Sequence, residues 1–220
     1  MDCGADIIDL KDPDHGALGA LPLEIVTEVV TFVNATGQSE KKVTSATIGD
    51  LPMVPELLLK HVLALAETKV DIIKIGFFQD AYAEFSDYQN CLRTLKTVCD
   101  SGVKLIAVLF AEYQYAASLL KAIKSAGFYG VMFDTASKNG ATFLDYFSMD
   151  DMKLISSKVQ TQGLLFGLAG SLNLQHLALT KEIAADYVGF RGGVCDNNYR
   201  QSTLIPEKIQ AIRQILQISL

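Results

Sequence analysis

In the stretch IIDLKDP, residues 7–13, a short apolar strand pattern runs into a loop at a carboxylate and a lysine. The stretch FDTASK, residues 133–138, repeats that pattern, and residues 71–77 carry Lys74 in the middle of a third apolar strand. A lysine at such a position can be partly desolvated, which lowers its pKa and leaves an amine that attacks carbonyl groups. The three stretches therefore suggest carbon chemistry by imine formation.

Short β-branched runs alternate with longer amphipathic segments along the 220 residues. Repeated strand-then-helix units predict a parallel sheet, either open and doubly wound or closed into a barrel. The predicted strands are residues 5–10, 43–48, 71–77, 104–110, 130–135, 164–169 and 187–191. The predicted helices are residues 55–67, 82–99, 111–126, 148–160, 174–183 and 206–218, and the polar residues 34–42 indicate a loop.

Polar residues stand near the carboxyl ends of many of these strands, which distinguishes the two kinds of sheet. In a (β/α) barrel those ends form the active face, whereas an open sheet concentrates function at one switch point. We therefore predict an α/β fold with a single TIM-type (β/α) barrel domain over residues 1–220. The strand-end polar residues are Asp9, Lys11, Asp50, Lys74, Glu112, Asp134, Ser171 and Arg191.

The number of strands is one short of a closed eight-stranded barrel. The first predicted strand begins a few residues after Met1, so we expect seven parallel strands with the first βα unit missing. The first and last strands would then each have an unpaired edge, and such edges pair readily with another chain. We therefore expect a homo-oligomer that covers the gap.

The composition excludes some classes of partner. A net charge of −6 argues against a nucleic-acid or polybasic membrane surface, and no apolar run approaches the ~20 residues of a membrane span. An anionic small molecule would need a local positive site, which the strand-end lysines and Arg191 supply.

The cysteines have no metal-ligand spacing, so with no signal peptide pattern we expect reduced thiols in the cytoplasm. They are Cys3, Cys91, Cys99 and Cys195.

The first strand places Asp9 and Lys11 on one face, because side chains alternate along a strand. If that face lines the barrel, Asp9 can polarise Lys11 or pair with it, and the alternative is a salt bridge that merely closes the barrel end. Lys74 lies among isoleucines and needs a carboxylate, a phosphate or neutrality, because burying an unpaired ammonium is costly.

The second stretch offers a candidate base. Asp134 ends an apolar strand and is suited to accept protons, whereas His15, in the loop after the first strand, is the next candidate. Lys138 follows one turn later, beside Asn139-Gly140, and by itself would be a surface lysine.

Two late strand ends suggest an anion site. Gly170-Ser171 and Arg191-Gly192-Gly193 lie where barrels commonly bind phosphate, with glycine amides free to approach an anion and an arginine to clamp it. The Gly-Gly pair could instead be a tight turn. The chain has no nucleophile elbow, P-loop, dinucleotide fingerprint or H-E-x-x-H motif, so hydride-transfer, phosphoryl-transfer and metal-hydrolase functions have little support.

Six motifs in this order resemble the (5-formylfuran-3-yl)methyl phosphate synthase family, barrel enzymes of methanofuran biosynthesis in methanogens and of a related pathway in methylotrophic bacteria. The motifs are GADIIDLKDP at 4–13, SATIGD at 45–50, IKIG at 73–76, DTASK at 134–138, AGS at 169–171 and RGG at 191–193. The resemblance implies that Lys11 is the Schiff-base lysine, that Asp9, Lys74, Asp134 and Lys138 line the site, and that no cofactor and no metal is needed. It also implies a lyase that joins two molecules of glyceraldehyde 3-phosphate into a furan aldehyde phosphate, with release of phosphate and water.

Three alternatives explain the same residues. A class I aldolase or a phosphate-binding barrel isomerase would use the same lysines and anion loops, but neither would make a furan that absorbs in the near ultraviolet. An inactive or purely binding homologue would form no imine that borohydride can trap.

Overall fold

The computed structural model describes residues 3–36, 42–79, 85–137 and 139–217. Within them, seven strands alternate with seven α-helices. The seven strands and six of the helices were predicted, whereas the helix between the first two strands was not. The strands are Ile7–Leu10 (β1), Val43–Thr47 (β2), Ile72–Gly76 (β3), Lys104–Phe110 (β4), Gly130–Asp134 (β5), Leu165–Leu168 (β6) and Tyr187–Val188 (β7). The helices are Leu23–Thr36 (α1), Pro55–Ala66 (α2), Phe85–Asp100 (α3), Leu119–Ser125 (α4), Met149–Thr161 (α5), Leu177–Glu182 (α6) and Pro206–Gln217 (α7).

All seven strands form one parallel sheet in the order β1 to β7, each paired with its neighbours in sequence. This order is that of a (β/α) barrel and not of a doubly wound sheet, in which the order reverses at a switch point. Within the described residues, β1 and β7 each pair on one side only. The predicted barrel architecture with seven parallel strands is confirmed, in the form of a curled half-barrel.

Apolar residues cover both faces of the sheet. The larger core lies between the sheet and the helices and includes Leu58 and Val62 of α2 against Ile73 and Ile75 of β3. The concave face, called the lumen below, has a smaller apolar cluster of Leu18, Ile106, Val108, Phe110, Met132, Ala169 and Ala17. Since alternate side chains point to opposite faces, the polar residues of β1, β2, β3 and β5 share the lumen with this smaller cluster.

Contacts between the two ends of the chain hold the curl of the sheet. Arg213 of α7 forms an ion pair with Asp6, which directly precedes β1. In the loops, Arg200 donates to the carbonyl oxygen of Gly16 at 3.3 Å, and Gln201 donates to Asp14 at 2.7 Å. The segments that follow β7 therefore meet the segments that flank β1.

Two local predictions were wrong. Residues 34–36 belong to α1 and not to a loop, because a stripe of Val26, Val30 and Val33 buries one face of that helix. The predicted helix over 111–126 is limited to α4, because the Tyr115 hydroxyl donates to the Phe77 carbonyl at 2.7 Å and accepts from the Phe110 amide at 3.0 Å. Those bonds hold residues 111–118 in a turn over the strand ends.

Two smaller differences concern element ends. Residues 174–183 form a 3-10 turn, Leu174–His176, followed by the short helix α6, and β7 is shorter than predicted.

None of the described helices is both long and apolar enough to cross a membrane.

Candidate active site

A tight pair of Lys74 and Asp9 lies on the lumen face. The Lys74 Nζ atom is 2.6 Å from each oxygen of the Asp9 carboxylate. Asp9 and Lys74 come from β1 and β3, and β2 between them contributes Ser45, whose hydroxyl donates to Asp9 at 2.6 Å. The carboxylate thus satisfies the buried lysine, one of the three outcomes that the sequence left open.

The position of Asp9 sets its pKa. Burial among protein atoms raises the pKa of this carboxyl, but the charge of Lys74, the hydrogen bonds from Lys74 and Ser45 and the charge of Lys11 outweigh it, so the pKa lies below 3.8. The side chain nevertheless remains 41% exposed, whereas that of Lys74 is 7% exposed. Asp9 therefore forms part of the wall of a recess that solvent reaches.

A looser pair of Lys11 and Asp134 lies at the carboxyl ends of the strands. The Lys11 Nζ atom is 3.7 Å from Asp134 Oδ2, and the two side chains are only 16% and 6% exposed. The amide of Thr135 donates to the other Asp134 oxygen at 2.7 Å and orients the carboxylate. The curl of the sheet brings the end of β1 and the end of β5 together here. Among the described residues, Lys11 therefore pairs with a carboxylate of β5 and not with Asp9 of its own strand, which the sequence had suggested as its partner.

Two further candidates are placed differently. Lys138 lies outside the described residues. His15 is 78% exposed, and its Nδ1 atom is 2.7 Å from Asp12. The loop histidine is thus an exposed residue paired within its own loop.

Asp50 and Thr47 hold the loop that follows β1. The Asp50 carboxylate accepts from the amides of Ala17 and Leu18 at 2.7 and 2.6 Å, and the Thr47 hydroxyl donates to the Leu18 carbonyl at 2.8 Å. Leu18 is thereby packed above Gly76, where a Cβ atom would lie 2.9 Å from the leucine side chain. Asp50 therefore fixes the loop that adjoins Lys11.

Glu112 holds a second loop of the site in the same way as Asp50 holds the first. Its carboxylate accepts from the amides of Ala136 and Ser137 at 2.9 and 2.8 Å. It orders the loop that begins directly after Asp134. Two acidic strand ends thus position loops, while Asp9 and Asp134 face lysines.

The loops after β5, β6 and β7 touch one another. Gly170 has φ of 95°, and a Cβ atom there would lie 2.9 Å from the Thr135 methyl group. A Cβ atom on Gly193 would lie 2.2 Å from the Leu172 carbonyl oxygen. Both glycines are therefore needed for close packing, which agrees with the tight-turn interpretation of the Gly-Gly pair.

The same loops also present hydrogen-bond donors. Among the described residues, the amides of Gly170, Ser171, Gly192 and Gly193 donate to no protein group. The Nε atom of Arg191 is buried and has no hydrogen-bond partner among the described residues. Gly192 begins a short 3-10 helix, Gly192–Val194. These features are typical of the phosphate-binding corner of (β/α) barrels.

The sequence prediction missed three lumen residues. Ser45 and Thr47 are two positions apart in β2, so strand alternation places them on one face, but Thr44 on the other face is also polar and obscures the pattern. Tyr187 also faces the lumen and packs against the apolar cluster that includes Met132 and Ala169. Nothing local in the sequence distinguishes Tyr187 from a core aromatic residue.

Fold and site together define an enzyme of the TIM-barrel-like class, with its polar groups at the carboxyl ends of parallel strands. Solved structures agree on the fold. Phosphoribosyl anthranilate isomerase from Thermus thermophilus matches 98% of this chain and 90% of its own, with a TM-score of 0.59 and 13% identity. 3-Keto-L-gulonate-6-phosphate decarboxylase from Vibrio cholerae matches 98% of this chain and 86% of its own, with a TM-score of 0.61 and 12% identity.

The sequence comparisons define the family. The family model for 4-HFC-P synthase matches residues 1–213. The (5-formylfuran-3-yl)methyl phosphate synthase of Archaeoglobus fulgidus is 31% identical over 94% of this chain and 88% of its own. That of Methanocaldococcus jannaschii is 30% identical over the same shares of the two chains. The chain belongs to the 4-HFC-P synthase family of enzymes.

Proposed function

We propose that the protein joins two molecules of glyceraldehyde 3-phosphate into 4-(hydroxymethyl)-2-furancarboxaldehyde phosphate, in the biosynthesis of methanofuran or a related C1 carrier. The relatives named for this product support the assignment. The observation that carries the proposal is the buried Lys11–Asp134 pair, 3.7 Å apart at the carboxyl ends of the strands.

The first step in this proposal is formation of an imine on Lys11. The ammonium must lose a proton before it attacks an aldehyde, and Asp134, with an oxygen 3.7 Å from the Lys11 Nζ atom, can accept that proton. Addition of the amine to the aldehyde then forms the C–N bond and releases the aldehyde oxygen as water. Lys74 is less suited to this step, because both Asp9 oxygens hold its ammonium at 2.6 Å.

The second step is loss of phosphate. The iminium withdraws electrons and acidifies the adjacent carbon, so that a carboxylate can remove its proton and leave an enamine. The enamine electron pair then expels the phosphate group from the next carbon, which breaks a carbon–oxygen bond and makes the enzyme a lyase. Asp134 is the proposed base, since its second oxygen is held by the Thr135 amide and its first faces Lys11.

The third step is attack of the three-carbon unit, through the carbon that lost phosphate, on C2 of the second triose phosphate in its keto form, which arises from the aldehyde by a proton shift from C2 to C1. A bond to the aldehyde carbon instead would place the phosphomethyl group at the 5-position of the furan and not at the 4-position. Formation of the carbon–carbon bond and ring closure retain one phosphate ester in the product. One inorganic phosphate and two waters leave in the whole reaction, so that carbon, oxygen and phosphorus balance. Lys74, Lys138 and Arg191 are proposed to stabilise the negative charges.

We assign one phosphate group to the loops after β6 and β7. The free amides of Gly170, Ser171, Gly192 and Gly193 and the buried Nε atom of Arg191 are donors without a protein acceptor in the described part of the chain. Donors of this kind bind anions well because they need no rearrangement.

Incubation with glyceraldehyde 3-phosphate tests the proposal. The expected product has the mass of the furan aldehyde phosphate and a near-ultraviolet absorption band, and an equal amount of inorganic phosphate appears. A product with the mass of a hexose bisphosphate and no absorption band would indicate an aldolase instead. An unchanged substrate would indicate a binding protein.

We also propose that the enzyme is cytoplasmic and self-associates. The half-paired strands β1 and β7 support self-association, as does Phe32 on α1, which is 59% exposed. A molar mass of a single chain, measured by light scattering, would contradict self-association.

A further inference from the structure

Tyr187 crosses the lumen face of the neighbouring strand. Its position in β7 pairs with Gly167 in β6. A Cβ atom on Gly167 would lie 2.2 Å from the Tyr187 Cζ atom and 2.5 Å from its hydroxyl oxygen. The glycine therefore makes room for the phenol ring, and a larger residue would displace it.

The ring lies on the same face of the sheet as the proposed base. Gly167 pairs on its other side with Met132, two positions before Asp134 on the same face of β5. The ring also packs in the lumen cluster that contains Met132 and Ala169. The ring therefore lies across the row of the sheet that contains Gly167 and Met132, and Asp134 stands two residues further along the same face.

The Tyr187 hydroxyl oxygen is buried and has no hydrogen-bond partner among the described residues. Burial raises the pKa of this phenol, and the carboxylates of Asp9 and Asp186 raise it further, so the group stays protonated and is a donor. A buried donor without an acceptor destabilises a folded protein. A phenylalanine would fill the same space without that cost.

We infer that the Tyr187 hydroxyl donates a hydrogen bond to the C2 hydroxyl oxygen of the triose phosphate bound to Lys11, and so selects α-hydroxyaldehydes. The inference rests on the proposed function, because it places the aldehyde carbon at Lys11. The negative charge of Asp9 reaches the Tyr187 phenol and raises its pKa. The same charge disfavours a phosphate group next to the phenol hydroxyl. The aldehyde oxygen leaves as water, so C2 carries the remaining oxygen of the carbon chain.

The consequence is a specificity that the lysines and carboxylates alone do not give. A site that donates a hydrogen bond to a substrate hydroxyl rejects the analogue that lacks it, because the donor is then left unpaired. The protein should therefore bind glyceraldehyde 3-phosphate better than 3-phosphopropanal, which has no C2 oxygen.

The Tyr187→Phe variant tests this inference, with Tyr129→Phe on an exposed tyrosine at the opposite end of the sheet as the control. Borohydride trapping over a range of concentrations gives the half-saturating concentration for each aldehyde. We expect Tyr187→Phe to weaken trapping of glyceraldehyde 3-phosphate about 10-fold and to leave that of 3-phosphopropanal unchanged. Its melting temperature should equal or exceed that of the wild type, which shows that the ring still packs.

Equal effects on both aldehydes, or none on either, would overturn the inference. The outcome is separable from that of the proposed function, because trapping needs only an imine. A wild-type protein that traps both aldehydes but forms no furan would refute the furan synthase and leave the comparison for Tyr187 valid. If the wild type traps neither, the same comparison is made on the shift in melting temperature that each aldehyde causes.

Discussion

The two lysine–carboxylate pairs of the lumen differ in a way that separates their roles. Lys74 is held at 2.6 Å by both oxygens of Asp9, and Ser45 adds a further hydrogen bond to that carboxylate. Lys11 is 3.7 Å from Asp134 in a pair that is almost completely buried. A tight pair with a third partner keeps its geometry and charge, whereas a looser pair can exchange a proton. The difference assigns fixed electrostatics to the first pair and covalent chemistry to the second.

The largest expected effect is that of Lys11→Arg. Arginine keeps the positive charge but forms no imine, so formation of the furan product should fall by ~10³–10⁶. The absorbance of the product measures the rate. Lys60→Arg, on the exposed side of α2, is the matched control and should act like the wild type. Turnover that survives in Lys11→Arg would move the covalent step to another lysine.

Asp134→Asn should have the next largest effect. The amide keeps the size of the side chain but accepts no proton, so turnover should fall by ~10²–10⁴. Borohydride should still trap a substrate adduct, but the adduct should form more slowly, because Asp134 also accepts the Lys11 proton in the first step. Phosphate release and adduct mass, measured on the same sample, separate the two steps. Normal turnover would make Asp134 structural, and the base would have to be sought elsewhere, with His15 as the next candidate.

Asp9→Asn should act mainly on stability. Removing one partner of a fully buried ion pair costs ~3–5 kcal/mol, and because the Asp9 side chain is 41% exposed we expect about 1–2 kcal/mol. Urea unfolding measures the loss. Asp100→Asn, which breaks the exposed Lys96–Asp100 pair on α3, should cost less than ~0.5 kcal/mol. Equal costs for the two variants would contradict the tight-pair interpretation.

The smallest expected effect is the pH dependence of the stability that the Asp9→Asn variant loses. The pKa of Asp9 is lower in the folded protein than its ordinary value of 3.8, so the unfolded state binds the proton more tightly. The stabilisation is therefore complete above the ordinary pKa and disappears as the pH falls through the lowered one. The stability difference between wild type and Asp9→Asn should be constant near neutrality and shrink in acid. A stability difference that grows on acidification would contradict the lowered pKa of Asp9.

The sequence predicted the strands better than some of the helices. β-Branched runs with polar ends identify strands without knowledge of their neighbours. α1 has a Val- and Thr-rich sequence with low helix propensity, and its buried valine stripe became evident only against the sheet. The turn at 111–118 depends on the Tyr115 hydroxyl, which bonds to the backbone of Phe110 at the end of β4 and of Phe77 directly after β3. No local pattern reveals such a bond.

The sequence also identified which residues of the candidate site share a face, but not how they pair. The alternation along β1 placed Asp9 and Lys11 together, and the polar strand ends pointed to one rim. Among the described residues, the lysine that pairs with Asp9 comes from β3 and the carboxylate that pairs with Lys11 comes from β5, because the register and curl of the sheet decide the distances. Tyr187 escaped notice for the same reason, since its position matters only opposite Gly167.

Borohydride reduction in the presence of glyceraldehyde 3-phosphate, followed by peptide mapping, identifies the lysine that forms the imine. If the looser pair performs the covalent chemistry, the added mass lies on the peptide that contains Lys11, and the peptide that contains Lys74 is unmodified. Mass added at Lys74 would contradict the assignment of the two pairs.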